Sequence, residues 1–223
     1  MDIDYSLIEQ KYDISLKNDA LFVDLEEALD HGVIVSRLAA MVAKEIGEDE
    51  DFIYDMKVAG FVHDVGKMKL GRYLYGRAGD SLKVEEMKYI RMHSQFSYEI
   101  LKSLGYNDNI LDSVYHHHEN YDGSGYPDNI KGDDIPLGAR ILRVCDVYSA
   151  LCSDRPYRTA FPPESAMELM IDEVKNFDMK LFIALQRVVH SDEFDEVKDF
   201  IDKANIAVKK NKEENSKNDH TKA

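Results

Sequence analysis

The sequence predicts an all-α domain. Three observations carry that prediction: apolar residues recur every three or four positions, no run alternates as a strand would, and glycine and proline cluster in one stretch. Residues 1–20 read as an amphipathic lead-in helix, packed on the body or on a partner. Between 52 and 65, Phe52, Met56, Ala59 and Val62 share one helix face. Val84, Met87, Ile90 and His93 repeat the spacing, as do Ile110, Val114, His117 and His118, and then Ile141, Val144, Cys145 and Tyr148. Gly105 follows ILKSL where a helix should stop, and Asn107 and Asp108 offer side-chain oxygens to cap the next one. Short connections imply antiparallel neighbours. Residues 119–138, ENYDGSGYPDNIKGDDIPLG, hold four of the twelve glycines and two of the five prolines, so this stretch is read as an irregular loop. From 209 to 223 the chain has almost nothing to bury and is expected to form a disordered polar tail. The expected organisation is therefore a lead-in at 1–20, one catalytic domain at 21–208 and a tail at 209–223, with no room for a separate sensor domain and no internal repeat.

Charge narrows the function. Against 28 Lys and Arg stand 43 Asp and Glu, a net charge of −15 over 223 residues, which argues against coating a nucleic acid polymer or an anionic membrane. No apolar run approaches the ~20 residues of a membrane span, and MDIDYSLIEQ lacks the regions of a signal peptide, so a cytoplasmic location is expected. Cys145 and Cys152 lie seven apart on one predicted helix, about 10 Å along its axis, too far to pair with each other.

Of eight histidines, His31, His63, His93, His116, His117 and His118 fall in a span that also holds Glu27, Asp64 and Asp146. Any one alone is more readily a hydrogen-bonded core residue. Together, His31, His63, His93 and His117 lie on or beside the apolar stripes of four different predicted helices, so folding would gather imidazoles and carboxylates at one buried place. Burying them unpaired would be very costly, and a cation resolves the difficulty, because these donors suit Fe, Mn, Zn or Ni. Five histidines and three carboxylates exceed the ligands of a single catalytic metal, and a carboxylate can bridge two ions; Asp64 is the bridging candidate. Glu27, four residues before His31, either holds a further ion or orients the imidazole. Lys67, one turn after His63 and Asp64, is placed to donate to a phosphate oxygen or is an ordinary surface lysine. Arg155 and Arg158 suit bidentate contact with phosphate or a guanine edge.

Taken in order, His31, HDVGK at 63–67, His93, HHENYDGSGYP at 117–127, and Asp146 with RPYR at 155–158 resemble the HD-GYP family of cyclic di-GMP phosphodiesterases over roughly residues 20–190. The resemblance implies an HD-domain helical bundle with a long GYP loop. It also implies two or three divalent transition ions, Fe or Mn, and hydrolysis of cyclic di-GMP to pGpG and, in many members, on to GMP. By position, it makes His31, His63, Asp64, His93, His117, His118 and Asp146 the ligands, with Asp64 bridging and Glu27 matching the extra carboxylate of trinuclear members. Lys67 matches a lysine on the scissile phosphate, Arg155 and Arg158 match basic residues beside the guanine, and Tyr126 and Pro127 shape the loop at the substrate. Two departures bear on substrate affinity and loop geometry: Ser149 where the family has aspartate, and KMKLGRYLYG where it has a Gly-Ile-Pro segment. His116 has no assigned role.

The expected chemistry is in-line attack by a metal-bridging hydroxide, with Asp64 and Lys67 as catalytic residues and no side-chain nucleophile. The rival expectations are an HD-superfamily hydrolase of another cyclic dinucleotide or nucleotide, a non-catalytic cyclic di-GMP receptor, and, last, a di-iron oxygenase. Regulation is expected from a protein partner, a homo-oligomer, the substrate level or the oxidation state of the metal.

Overall fold

In the computed structural model, residues 18–70, 88, 90–154 and 158–220 are described. Most of the expected lead-in segment, Val84, Met87, Arg155 and the part of KMKLGRYLYG after Leu70 lie outside them. The described residues form eight α-helices and no strand. The helices are α1 (Asn18–Glu45), α2 (Glu50–Val62), α3 (His93–Ser103), α4 (Asp108–His116), α5 (Leu137–Cys152), α6 (Pro163–Asp172), α7 (Met179–Val189) and α8 (Asp195–His220). None is long and apolar enough to cross a membrane.

Helix α1 buries Ile34, Val35, Leu38, Ala39, Val42 and Ala43, the stripe an amphipathic helix presents to a core. Gly47 turns the chain at φ 86°, and the Asp49 carboxylate then accepts from Phe52 N at 2.8 Å to start α2. The two helices cross with their backbones in contact. A Cβ on Gly60 would stand 2.7 Å from Ser36 Cα, and one on Gly32 would stand 2.8 Å from Phe61 O. Larger residues there would hold His31 and His63 apart.

The stop expected at Gly105 is present, with φ 82°, and Asn107 Oδ1 caps α4 by accepting from Ile110 N at 3.0 Å. Helix α5 is the hub, packing against α1, α2, α4, α6 and α7. Its Ile141, Leu142, Val144, Cys145 and Tyr148 are fully buried, each large apolar side chain contributing about 1.5–3 kcal/mol. Both cysteines are free and buried.

Between α4 and α5 the chain is irregular apart from one 3-10 turn, Gly132–Asp134. The loop is nevertheless strapped. Glu119, 2% exposed, accepts from Asp128 N at 2.6 Å and Asn129 N at 2.9 Å, and Tyr126 N donates to His118 O at 3.2 Å. Tyr126–Pro127 is a cis peptide bond.

Helix α8 runs on to His220, through most of the stretch read from composition as a disordered tail. The composition of that stretch speaks to burial, whereas helix formation depends on backbone preference. The helix contains neither glycine nor proline, and its lysines and glutamates lose little freedom when helical. Its Asn205 pins the end of α5, accepting from Asp154 N at 2.8 Å and donating to Cys152 O at 2.9 Å.

Candidate metal centre

Five segments deliver the predicted ligands to one place. His31 comes from α1, His63 and Asp64 from the end of α2, His93 from the first residue of α3, His117 and His118 from just past α4, and Asp146 from the middle of α5. Within this cluster, His31 Nε2 lies 3.0 Å from Asp146 Oδ1, His63 Nε2 lies 3.2 Å from Asp64 Oδ2, and His93 Nε2 lies 3.2 Å from Asp64 Oδ1. His93 Nε2 is also 3.3 Å from His117 Nε2 and 3.0 Å from His118 Nε2. Two sets of ligand atoms, His31/His63/Asp64 and His93/His117/His118, each lie within 4.8 Å of one another.

The tautomers decide what these distances mean. His63 Nδ1 donates to Gly60 O at 2.8 Å, His93 Nδ1 to Ile90 O at 2.7 Å, and His117 Nδ1 to Val114 O at 2.6 Å. A carbonyl accepts only, so each of these rings carries a proton on Nδ1 and, when neutral, presents a bare Nε2. His93 and His117 therefore aim two lone pairs at each other, and His63 aims one at a carboxylate. His63 Nε2 and Asp64 Oδ1 are buried with no hydrogen-bond partner among the described residues. Lone pairs so opposed repel, and a shared cation turns that repulsion into ligation. Ligand atoms about 2.1 Å from one ion and at right angles are about 3 Å apart, which is the spacing found. The donor set fits divalent metal.

His31 is held differently. Its Nδ1 meets the Ser149 hydroxyl at 3.0 Å, and Ser149 is fully buried. A hydroxyl both donates and accepts, so His31 keeps a partner whether its proton sits on Nε2, facing Asp146, or on Nδ1. Ser149, expected from the resemblance to bear on substrate affinity, thus acts through an imidazole of the cluster. It lies one helical turn after Asp146, on the same face of α5, and that spacing is the signal that finds it.

Electrostatics follow the burial. Burial, with His63 and His93 nearby, pushes the His117 imidazole down to about 3. Burial also lowers His31, His93 and His118. At His63 burial works in the same sense, but the Asp64 and Asp146 carboxylates prevail and raise it. Burial would raise Asp64 and Asp146, yet His63 and Lys67 around Asp64, and the hydrogen bond and charge of His31 at Asp146, hold both well below the usual carboxylate range.

The remaining predicted residues sort by position. Lys67 places its ammonium on Asp64 Oδ2, with the side chain 36% exposed. Glu27 lines a small cavity beside His31, together with Asp30, Asp154 and Asn205. Tyr126 stacks on His118, ring centres 4.8 Å apart. Arg158 does not join the cluster: it donates to Leu151 O at 3.0 Å, Thr159 O at 2.9 Å and Ala150 O at 2.8 Å. The carbonyls of the last helical turn have no intrahelical donors, and an arginine seven residues on supplies them. His116 turns away, toward Asp112 O at 3.0 Å and Asp128 Oδ2 at 3.2 Å. Sequence reasoning missed Arg91, whose guanidinium lies 5.2 Å over the Tyr126 ring, and Arg143, held by Asn120 Oδ1 at 2.8 Å. No motif marks either one.

Comparison with known proteins shows the family and the fold. A family model described as HD domain matches residues 5–181. The chain is 35% identical over 158 residues to the cyclic di-GMP phosphodiesterase response regulator RpfG of Xanthomonas campestris, covering 69% of this chain and 41% of that protein. It is 29% identical over 162 residues to 3′3′-cGAMP-specific phosphodiesterase 3 of Vibrio cholerae, covering 72% of this chain and 35% of that protein. The chain thus spans well under half the length of these curated relatives. An HDG"Y"P protein of Bdellovibrio bacteriovorus has a similar solved fold, with TM-score 0.59, 18% identity, and coverage of 74% of this chain and 53% of that one.

Proposed function

The chain belongs to the HD domain family, and from that premise we propose that it is a metal-dependent phosphodiesterase of the cytoplasm that opens cyclic di-GMP to pGpG. One observation carries the reading: the Nε2 atoms of His63 and His93 each stand 3.2 Å from an oxygen of Asp64, and the bare Nε2 atoms of His93 and His117 stand 3.3 Å apart. His31, His63, Asp64, His93, His117, His118 and Asp146 would hold two divalent ions, Fe or Mn, Asp64 serving both, and Glu27 would serve a third. When bound, the ions would supply Lewis acidity to phosphoryl oxygens and a lowered pKa to water.

The side chains of this chain do the rest. Asp64 and Asp146 stay anionic, because their surroundings hold them far below the usual range. Carbonyl acceptors fix three imidazoles so that no ring must turn when it ligates. Lys67 leans on Asp64 from the open side and swings to a non-bridging phosphate oxygen, where its charge offsets the charge that builds in the transition state. Tyr126 buttresses His118. Arg158 serves the reading by fixing the segment after α5. The complete ligand set weighs against a silent receptor.

The similarity to a 3′3′-cGAMP-specific enzyme supports a second reading, in which another cyclic dinucleotide is the substrate. Anaerobic purification with elemental analysis, then chromatography of products from cyclic di-GMP, 3′3′-cGAMP and cyclic di-AMP, tests both. Asp64→Ala should lose bound metal and turnover together; full activity after metal stripping, or in Asp64→Ala, would refute the proposal.

A further inference from the structure

The cluster accounts for one phosphodiester of a cyclic dinucleotide, and such a ligand carries two. The second negative charge has to sit close to the first, beside Asp64 and Asp146 and within a chain of net charge −15. A free cation at the rim is therefore required, and the described residues near the cluster can be surveyed for one. Lys67 is on Asp64, Arg143 gives Nε and Nη2 to Asn120 Oδ1 at 3.1 and 2.8 Å, and Arg158 is spent on three carbonyls. Arg91 is exposed, and among the described residues its guanidinium lies over the face of Tyr126.

From this we propose that Arg91 holds the second phosphodiester, the one away from the metals. The assignment rests on the cyclic-dinucleotide reading of the site. Tyr126 carries both His118, at 4.8 Å between ring centres, and the Arg91 guanidinium, at 5.2 Å. No more than 10 Å, the sum of those spacings, separates the guanidinium carbon from the centre of a ligand imidazole. A guanidinium lying over a ring keeps its N–H edges outward in its own plane, the fork that matches two phosphate oxygens. Its backbone is equally placed: Arg91 sits between Ile90, whose carbonyl orients His93, and the start of α3. Tyr126 is then a positioning residue, registering the rim cation against the cluster.

The test compares Arg91→Ala and Arg91→Lys with wild type, all Mn²⁺-loaded, on cyclic di-GMP, 3′3′-cGAMP and the one-phosphate substrate bis(p-nitrophenyl) phosphate. Isothermal titration with the phosphorothioate analogue of cyclic di-GMP gives affinity apart from turnover. Arg91→Ala should raise KM for both cyclic dinucleotides and weaken the analogue by about 10- to 100-fold, the worth of one charge-assisted contact, with kcat nearly held. Selectivity for cyclic di-GMP over the one-phosphate substrate should fall by the same factor, and lysine should restore part of it. An unchanged KM, an equal loss on the one-phosphate substrate, or a loss that scales with the number of guanines overturns the assignment. If wild type cleaves bis(p-nitrophenyl) phosphate but neither binds nor cleaves any cyclic dinucleotide, the substrate reading itself falls. That result is distinct from a wild type that turns over cyclic di-GMP and an alanine variant that equals it.

Discussion

Gly66→Ala should damage the metal centre without touching a ligand. Gly66 lies in the 3-10 helix Val65–Leu70, between Asp64 and Lys67, and its N–H donates to Ser97 Oγ at 2.8 Å. A Cβ there would stand 2.1 Å from His93 O, 2.5 Å from Ser97 N and 2.9 Å from Phe96 Cβ. Two of these are main-chain atoms of α3, so no rotamer change relieves the clash. To reach ordinary contact at 3.4 Å the segment must retreat by about 1.3 Å from His93. Asp64 Oδ1, 3.2 Å from His93 Nε2, moves with it, whereas ligand positions tolerate only about 0.2 Å. Overpacking plus the lost buried hydrogen bond should cost about 2–4 kcal/mol, a fall in Tm of roughly 5–15 °C for a chain of this size. Metal affinity should fall at least about 10- to 100-fold, read by competition with a chelator. Gly105→Ala is the control, strained at φ 82° but with nothing within 4 Å, and should lose about 1 kcal/mol while keeping its metal. Gly66→Ala binding Mn²⁺ as tightly as wild type would refute the reasoning.

Acid should destabilise the metal-free protein. With a folded value of about 3 for His117 against 6.5 unfolded, the unfolded state takes up the proton first, so stability is complete above about 6.5 and is lost as pH falls toward 3. That one group corresponds to on the order of 5 kcal/mol; lowered His31, His93 and His118 act in the same sense, and raised His63 opposes them. Urea melts between pH 4 and 7.5 should show it; a flat profile would contradict the burial. Ser149→Ala should weaken one bound ion about 10- to 100-fold and spare the other, because only His31 loses its Nδ1 partner. A chelator titration that still releases metal in the wild-type pattern would count against that. Glu119→Ala orphans two main-chain N–H groups and should cost about 2–4 kcal/mol, with new protease cleavage between 120 and 135; unchanged melting would refute the strap.

The sequence by itself determined the all-α class, the helices around the cluster and the ligand types, because helical periodicity and the cap at Asn107 act within one or two turns of chain. It also identified the loop between α4 and α5, since glycine and proline act where they stand. Tertiary structure decided what those residues face. His31 meets Ser149 and Asp146 across more than 110 positions of sequence, and only the close crossing at Gly32 and Gly60 brings α1 near enough to the end of α2. The same holds for Arg158, which the resemblance places beside a guanine and the end of α5 claims, and for Arg91, which no motif marks and which lies over Tyr126. Local preference is written in neighbouring residues; the direction of a lone pair or a guanidinium depends on atoms that only folding brings near.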